Sequence, residues 1–171
     1  MRRVVLLTLA GEEPASLLPL TFTRKAARVM TERLAHYLGR RAAEIRAGTE
    51  GTLIEALESD ITRPTPLRGS SIDLIYLSTV FHGFSRDEIP GFLAEVKRLL
   101  KPGGRLAIVE IDKVETSFGP PLHLRFSPED LRREVGLPPL ETVAVGPHFY
   151  MQIFGNCQTG EVYGKDRLGG R

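Results

Sequence analysis

The chain has 171 residues, 42% of them apolar and 26% charged, with a formal net charge of +2. That length carries one domain with a real core and excludes two comfortable ones. No stretch approaches the ~20 uninterrupted apolar residues of a membrane helix, and the apolar run in MRRVVLLTLAGEE is too short for a signal peptide, so a cytoplasmic protein without a membrane partner is expected.

The single cysteine, Cys157, rules out an internal disulfide and a multi-cysteine zinc cage and reads as a buried or idle thiol. No metal is called for. Residues 1–48 hold nine Arg or Lys against four Glu. A solvated basic helix explains this better than nucleic-acid contact, because no aromatic residues are interleaved and no groove-reading motif is present. Arginine outnumbers lysine 18 to 5, which suggests a GC-rich gene.

In chain order, a first strand is expected near residues 4–9. The segment TRKAARVMTERLAHYLGRRAAEIRAG then places Met30, Leu34, Tyr37, Leu38, Ala42 and Ile45 on one side of an amphipathic helix, weakened by Gly39 at roughly 1 kcal/mol relative to alanine. TLIEAL, residues 52–57, reads as a short strand, and the proline-rich ITRPTPLRGSS as a loop. IDLIYLSTVF, residues 72–81, is a nearly continuous apolar run, as a parallel strand buried on both faces requires.

Ile89, Phe92, Leu93, Val96, Leu99 and Leu100 recur at three and four and predict a helix, with Ser85 or Asp87 as its cap and Pro90 in its first turn. PGG at 102–104 is expected to end it, and RLAIVEI to be the next buried strand. Strand, helix, glycine turn and strand make a right-handed crossover, hence a parallel sheet. In SPEDLRREVGL, Ser127 is an N-cap, Pro128 suits the first helical position and Asp130 completes a capping box. ETVAVG and FYMQIFG read as a final antiparallel pair, and GEVYGKDRLGGR as a frayed tail.

SSIDLIYLSTVFHGF, FLAEVKRLLKPGGRLAIVEID and SFGPPLHLRFSPEDL, in that order, resemble the second half of a class I S-adenosylmethionine-dependent methyltransferase of the type 11 group. The likeness runs from about Arg41 to Phe154. It implies one α/β domain over residues 1–156, atypical over 1–40, with a flexible tail over 157–171. The implied fold is a doubly wound, Rossmann-like sheet of six parallel strands and a last antiparallel one, with S-adenosylmethionine across the carboxyl ends of the strands.

By that resemblance Asp60 accepts from the adenine amino group with Ile61 against the ring, Ser78 faces the cofactor, and His82 orients the methyl acceptor or acts as base. His123 and Arg125 then line the mouth of the site, Arg125 pairing with an anionic acceptor. Read as residues alone, Asp60 is a turn former, His82 a loop cap and Arg125 a surface ion pair.

The family's glycine-rich loop after the first strand is missing. Only Gly11 stands there, as the one cofactor-binding glycine the resemblance still implies, beside Glu12 and Glu13, whose charge opposes the cofactor's carboxylate. Glu32 is the candidate ribose-binding acid. Spacing survives while residue identities fail, which translation of a short stretch of a GC-rich gene in another frame would produce; a glycine loop in another frame of codons 1–40 is the check.

The expected function is methyl transfer to a small-molecule acceptor. The alternatives are a non-catalytic binding or dimerisation module that has lost the cofactor, and a nucleotide-binding domain, disfavoured because there is no phosphate loop. The composition permits a homodimer without arguing for one.

Overall fold

The computed structural model describes residues 4–9, 17–21 and 54–156. Among them, strands β1 (Val4–Leu9), β2 (Leu17–Thr21), β3 (Ile54–Ser59), β4 (Ile72–Ser78), β5 (Leu100–Ile111), β6 (Pro139–Ala144) and β7 (Phe149–Gly155) form one sheet in the order β3-β1-β2-β4-β5-β7-β6. Helix α1 spans Ile89–Leu99 and helix α2 Pro128–Val135. The amphipathic helix expected before β3, Cys157 and the tail lie outside the described residues.

β2, β4 and β5 run parallel, while β7 is antiparallel to both β5 and β6. β1 is antiparallel to both its neighbours, β2 and β3. Five strands therefore share one direction, and β1 and β7 are reversed. The α/β sheet and its antiparallel last strand agree with the sequence. The expectation that residues 4–9 provide the first parallel strand does not hold, because β2 takes the place beside β4. No sequence signal marks LLPLT as a strand; Pro19 weakens the pattern, and pairing with the apolar ladder of β4 overrides it.

α2 starts and stops where its caps dictate, whereas both ends of α1 differ from the expectation. α1 stops at Leu99, three residues before Pro102, and β5 begins at once. Gly103 (φ +77°) therefore serves not the helix end but a bulge in β5, where the register with β4 slips between Ile72 and Leu74. Asn156 clamps that bulge, donating to the carbonyls of Leu100 and Lys101 at 3.1 Å.

The N-terminus of α1 is formed by Glu88, with no side-chain cap, rather than by Ser85 or Asp87. Glu88 instead accepts from the Ser85 amide and hydroxyl at 2.7 and 2.9 Å. A Cβ on Gly91 would lie 2.2 Å from the Thr62 carbonyl, so only glycine lets α1 approach the loop after β3 this closely. α2 has the predicted capping box: Ser127 Oγ accepts from the Asp130 amide, Asp130 accepts from the Ser127 amide, and Gly136 (φ +61°) closes the helix.

The core gathers Ile75 and Leu77 of β4, Leu106 and Ile108 of β5 and Phe154 of β7 under Phe92, Val96 and Leu99 of α1 and Leu131 and Val135 of α2. Ala107, Val109 and Ile111 alternate with Leu106 and Ile108 and are buried on the opposite face of β5.

One charge enters this packing. Glu95 of α1 is 2% exposed, and its carboxylate accepts from the Thr65 amide (2.8 Å), the Thr65 hydroxyl (2.7 Å) and the Arg98 guanidinium (2.6 Å). Burial pushes its carboxyl up, and the hydrogen bonds from Arg98 and Thr65 outweigh that and hold it below the ordinary value. Glu95→Ala is expected to leave these donors without their acceptor and to lower stability by about 3 kcal/mol. Urea unfolding monitored by circular dichroism checks this; a midpoint unchanged from that of the parent would refute it.

Candidate active site

β4 and β5 end at the same edge of the sheet, and the chemistry-bearing residues follow from how each ends. Thr79, just after β4, has φ +54°, a left-handed conformation that is costly for a β-branched residue. Its amide donates to the Val109 carbonyl at 2.8 Å, which holds the turn. The chain then enters a 3-10 turn, Phe81–Gly83, anchored by a fully buried Phe81 in edge contact with Phe84, Phe92 and Phe126.

That turn sets His82 over the end of β5. Glu110 continues the inward row of Leu106 and Ile108 and is 0% exposed. β4 has already ended at this level, so the carboxylate meets the turn instead of a neighbouring strand. Glu110 Oε1 accepts from the His82 amide at 3.2 Å, and Oε2 lies 2.8 Å from His82 Nδ1. Both carboxylate oxygens being acceptors, the pairing assigns the ring proton to Nδ1 and leaves Nε2 as the basic nitrogen. The His82 side chain is 20% exposed.

His82 lines an open cavity of about 440 Å³, whose apolar wall includes Phe84, Ile89, Leu124 and Phe126. Its polar rim includes Arg86, Lys113, His123, Asp130 and Arg133. Asp130 binds Lys113 at 2.8 Å and also pairs with Arg133. Its carboxyl lies far below the ordinary 3.8, owing first to the Lys113 hydrogen bond and then to the Ser127 amide, against an opposing contribution from burial.

His82, His123 and Arg125 are thus brought to one cavity, whereas Asp60, Ile61 and Ser78 do not line it. His123 is exposed in the short turn Leu122–Leu124. Arg125 differs from its expected role. It is 5% exposed, and its five N–H groups are taken by the carbonyls of Asp112, Val114, Phe118 and Pro120 and the hydroxyl of Thr116. No donor is left for an anionic acceptor. The guanidinium shapes the loop after β5, because a buried cation without a carboxylate must be surrounded by carbonyl dipoles.

Ser78 closes β4 at the carboxyl edge, half-buried. Asp60 follows β3 at the same edge, since β3 and β4 share a direction. Asp60 Oδ1 accepts from the Thr62 amide (3.0 Å) and hydroxyl (2.6 Å), the turn-forming geometry expected of the residue alone, while Oδ2 lies 3.6 Å from Arg63 Nε. Ile61 is fully buried in the core, so it offers no surface to a ring. β1 is reversed and ends at the opposite edge from β4 and β5, so the strand before Gly11 does not lead to the cofactor edge; Gly11 and Glu32 themselves lie outside the described residues.

Glu110, Lys113 and the second role of Asp130 were missed from sequence. An acid inside a strand otherwise buried on both faces was the available signal for Glu110, since such a group needs a donor. Among the described residues no cluster of His, Cys, Asp and Glu could hold a metal ion, and no helix is long and apolar enough to cross a membrane.

The family described as a methyltransferase domain, type 11, matches residues 20–108, more than half of the chain, and the chain belongs to that family. The match begins inside β2 and ends inside β5. Among solved structures, a SAM-dependent methyltransferase from Aquifex aeolicus is 29% identical with a TM-score of 0.52, over 59% of this chain and 54% of that one. A type 11 methyltransferase, itself described as putative, from Sulfolobus solfataricus is 24% identical with a TM-score of 0.51, over 57% and 58%. The chain thus spans little more than half the length of either. No curated protein matches it. S-adenosylmethionine is the cofactor this membership indicates, and Asp60 Oδ2 and the edge at Ser78 are compatible with it, while Ile61 is not.

Arg125→Lys keeps the charge but offers at most three donors from a point-like ammonium, and is expected to cost about 3 kcal/mol in chemical denaturation. Asp130→Asn is expected to cost about 1 kcal/mol near neutrality. The Asp130 carboxyl titrates lower folded than unfolded, so its stabilisation is present above 3.8 and fades as pH falls from there toward the folded value. Melting temperatures of the parent and Asp130→Asn should therefore converge below that pH; a constant gap would refute the assignment.

Proposed function

We propose that the chain is an S-adenosylmethionine-dependent methyltransferase domain acting on a hydroxyl group of a small molecule seated in the cavity. The observation that carries this reading is a histidine at the carboxyl edge of the sheet, held by a fully buried glutamate and lining an open cavity. When bound, the cofactor supplies an electrophilic methyl group on a sulfonium sulfur.

The protein's own part is alignment, desolvation and one proton. His82 Nε2 would take the proton of the acceptor hydroxyl, whose oxygen would receive the methyl group while the sulfur keeps the electron pair of the broken C–S bond. Glu110 keeps Nδ1 protonated and stabilises the imidazolium that results. Phe84, Leu124 and Phe126 exclude water from the acceptor's body. Asp60 and Ser78 would hold the cofactor.

One observation favours a second reading, a binding module without cofactor. Neither the residues after β1 nor those after β2, Phe22-Thr23-Arg24-Lys25-Ala26, contain a run of glycines. Calorimetric titration of the folded protein with S-adenosylhomocysteine separates the two. Saturable binding that weakens in Asp60→Ala is the expected result, and no binding selects the module. Once an acceptor is in hand, His82→Gln is expected to lower kcat by about 10²-fold or more and to abolish its rise with pH, with Glu110→Gln producing the same change to a smaller degree.

A further inference from the structure

The cavity carries a surplus of positive charge that methyl transfer to a hydroxyl does not itself require. Of its lining side chains Arg86, Lys113, Arg125 and Arg133 are cationic, against the two carboxylates Asp130 and Glu134. Arg125 is saturated by the loop it organises, and Lys113 and Arg133 share the single carboxylate of Asp130. Arg86 is exposed and makes no ion pair among the described residues. It stands just past the turn that carries His82, with Phe84 between them. One wall of the cavity is therefore apolar, one rim has unspent cationic hydrogen-bonding capacity, and the proton acceptor lies beside both.

Resting on the reading of this cavity as the acceptor site, we propose that the acceptor is a small hydroxy acid. Its apolar body packs against Phe84, Leu124 and Phe126, its carboxylate faces Arg86 and Lys113, and its hydroxyl reaches His82. A monoanion fits better than a phosphate dianion, because Asp130 and Glu134 on the same rim repel each added negative charge. The volume of about 440 Å³ admits a two-ring body. The surplus charge also steers such an acceptor from solution, and salt screens that attraction.

The test is a fluorescence titration of the full chain, without cofactor, with 6-hydroxy-2-naphthoate and with its neutral isostere 6-hydroxy-2-naphthamide. The acid is expected to bind about tenfold more tightly at low salt and to lose that advantage as salt rises. Arg86→Gln, at an exposed position and verified as folded by thermal shift, is expected to remove most of the preference while leaving the amide's affinity unchanged. Equal binding of acid and amide, binding of neither, or a preference that survives Arg86→Gln overturns the proposal.

Adding S-adenosylmethionine separates this from the reading beneath it. If the acid is bound preferentially but never methylated, methyl transfer fails and the anion preference stands. If the amide is methylated as fast as the acid, methyl transfer stands and the hydroxy-acid proposal falls.

Discussion

A carboxylate with no exposed surface sits at the carboxyl end of a central strand, and much of the surrounding structure answers to it. Glu110 occupies the position that another leucine or isoleucine would take in the row of Leu106 and Ile108. Removing its charge from water is costly unless donors replace the solvent. The early end of β4, the left-handed Thr79 and the aromatic anchor Phe81 together bring two donors from His82 to that point. The same charge acts on its partner across the β5–β7 ladder. Tyr150 has its hydroxyl pushed well above the ordinary 10 by burial first and by Glu110 next, so it stays a donor, to the Phe126 carbonyl at 2.8 Å. Phe126 immediately precedes the capping residue of α2, and the strand, the cavity wall and the helix start are thereby linked.

The charges around the cavity divide by what surrounds them. Arg125 is buried and saturated by carbonyl groups and a hydroxyl, as Glu95, away from the cavity, is by Thr65 and Arg98, and each shapes a loop. Asp130 joins Lys113, Arg133 and the cap of α2, so the loop after β5 is fastened to the helix that follows it. Cations left at the rim have solvent access and spare donors, which is the condition for meeting a ligand rather than the protein itself. Arg125 and Arg86 share a residue type but not a setting, one being spent within the protein and the other facing solvent.

Family membership accounts for the sheet, whose parallel strands β2, β4 and β5 end at one edge, the edge where open α/β sheets in general bind ligands. It does not transfer an acceptor, because acceptor choice resides in loops such as that between β5 and α2. The reversed β1 and the absence of glycines after β2 place this chain away from the arrangement the resemblance implies on the side that would hold the cofactor's amino-acid end. On the His82 side the buried groups are all paired: among the described residues no buried side-chain nitrogen or oxygen lacks a partner.

Local rules were enough for much of the second half of the chain. The capping box at Ser127 and Asp130, Gly136 after α2, the helical spacing of Ile89 to Leu99 and the apolar runs of β4 and β5 are properties of neighbouring residues, and each was legible because the forces that produce it act within a few positions. LLPLT became a strand only by pairing with β4, and Gly103 became a bulge rather than a helix cap only because β5 had to pair from Leu100. His82, His123 and Arg125 were picked out by sequence, but what distinguishes His82 from Arg125 is the partners each finds, a carboxylate 28 positions away for the one and five oxygens 5 to 13 positions away for the other. Glu110 comes beside His82 because the chain returns to the sheet next to β4, and the five acceptors gather around Arg125 because the loop after β5 folds back on itself; both are fixed by the folded chain and not by any pattern of adjacent residues.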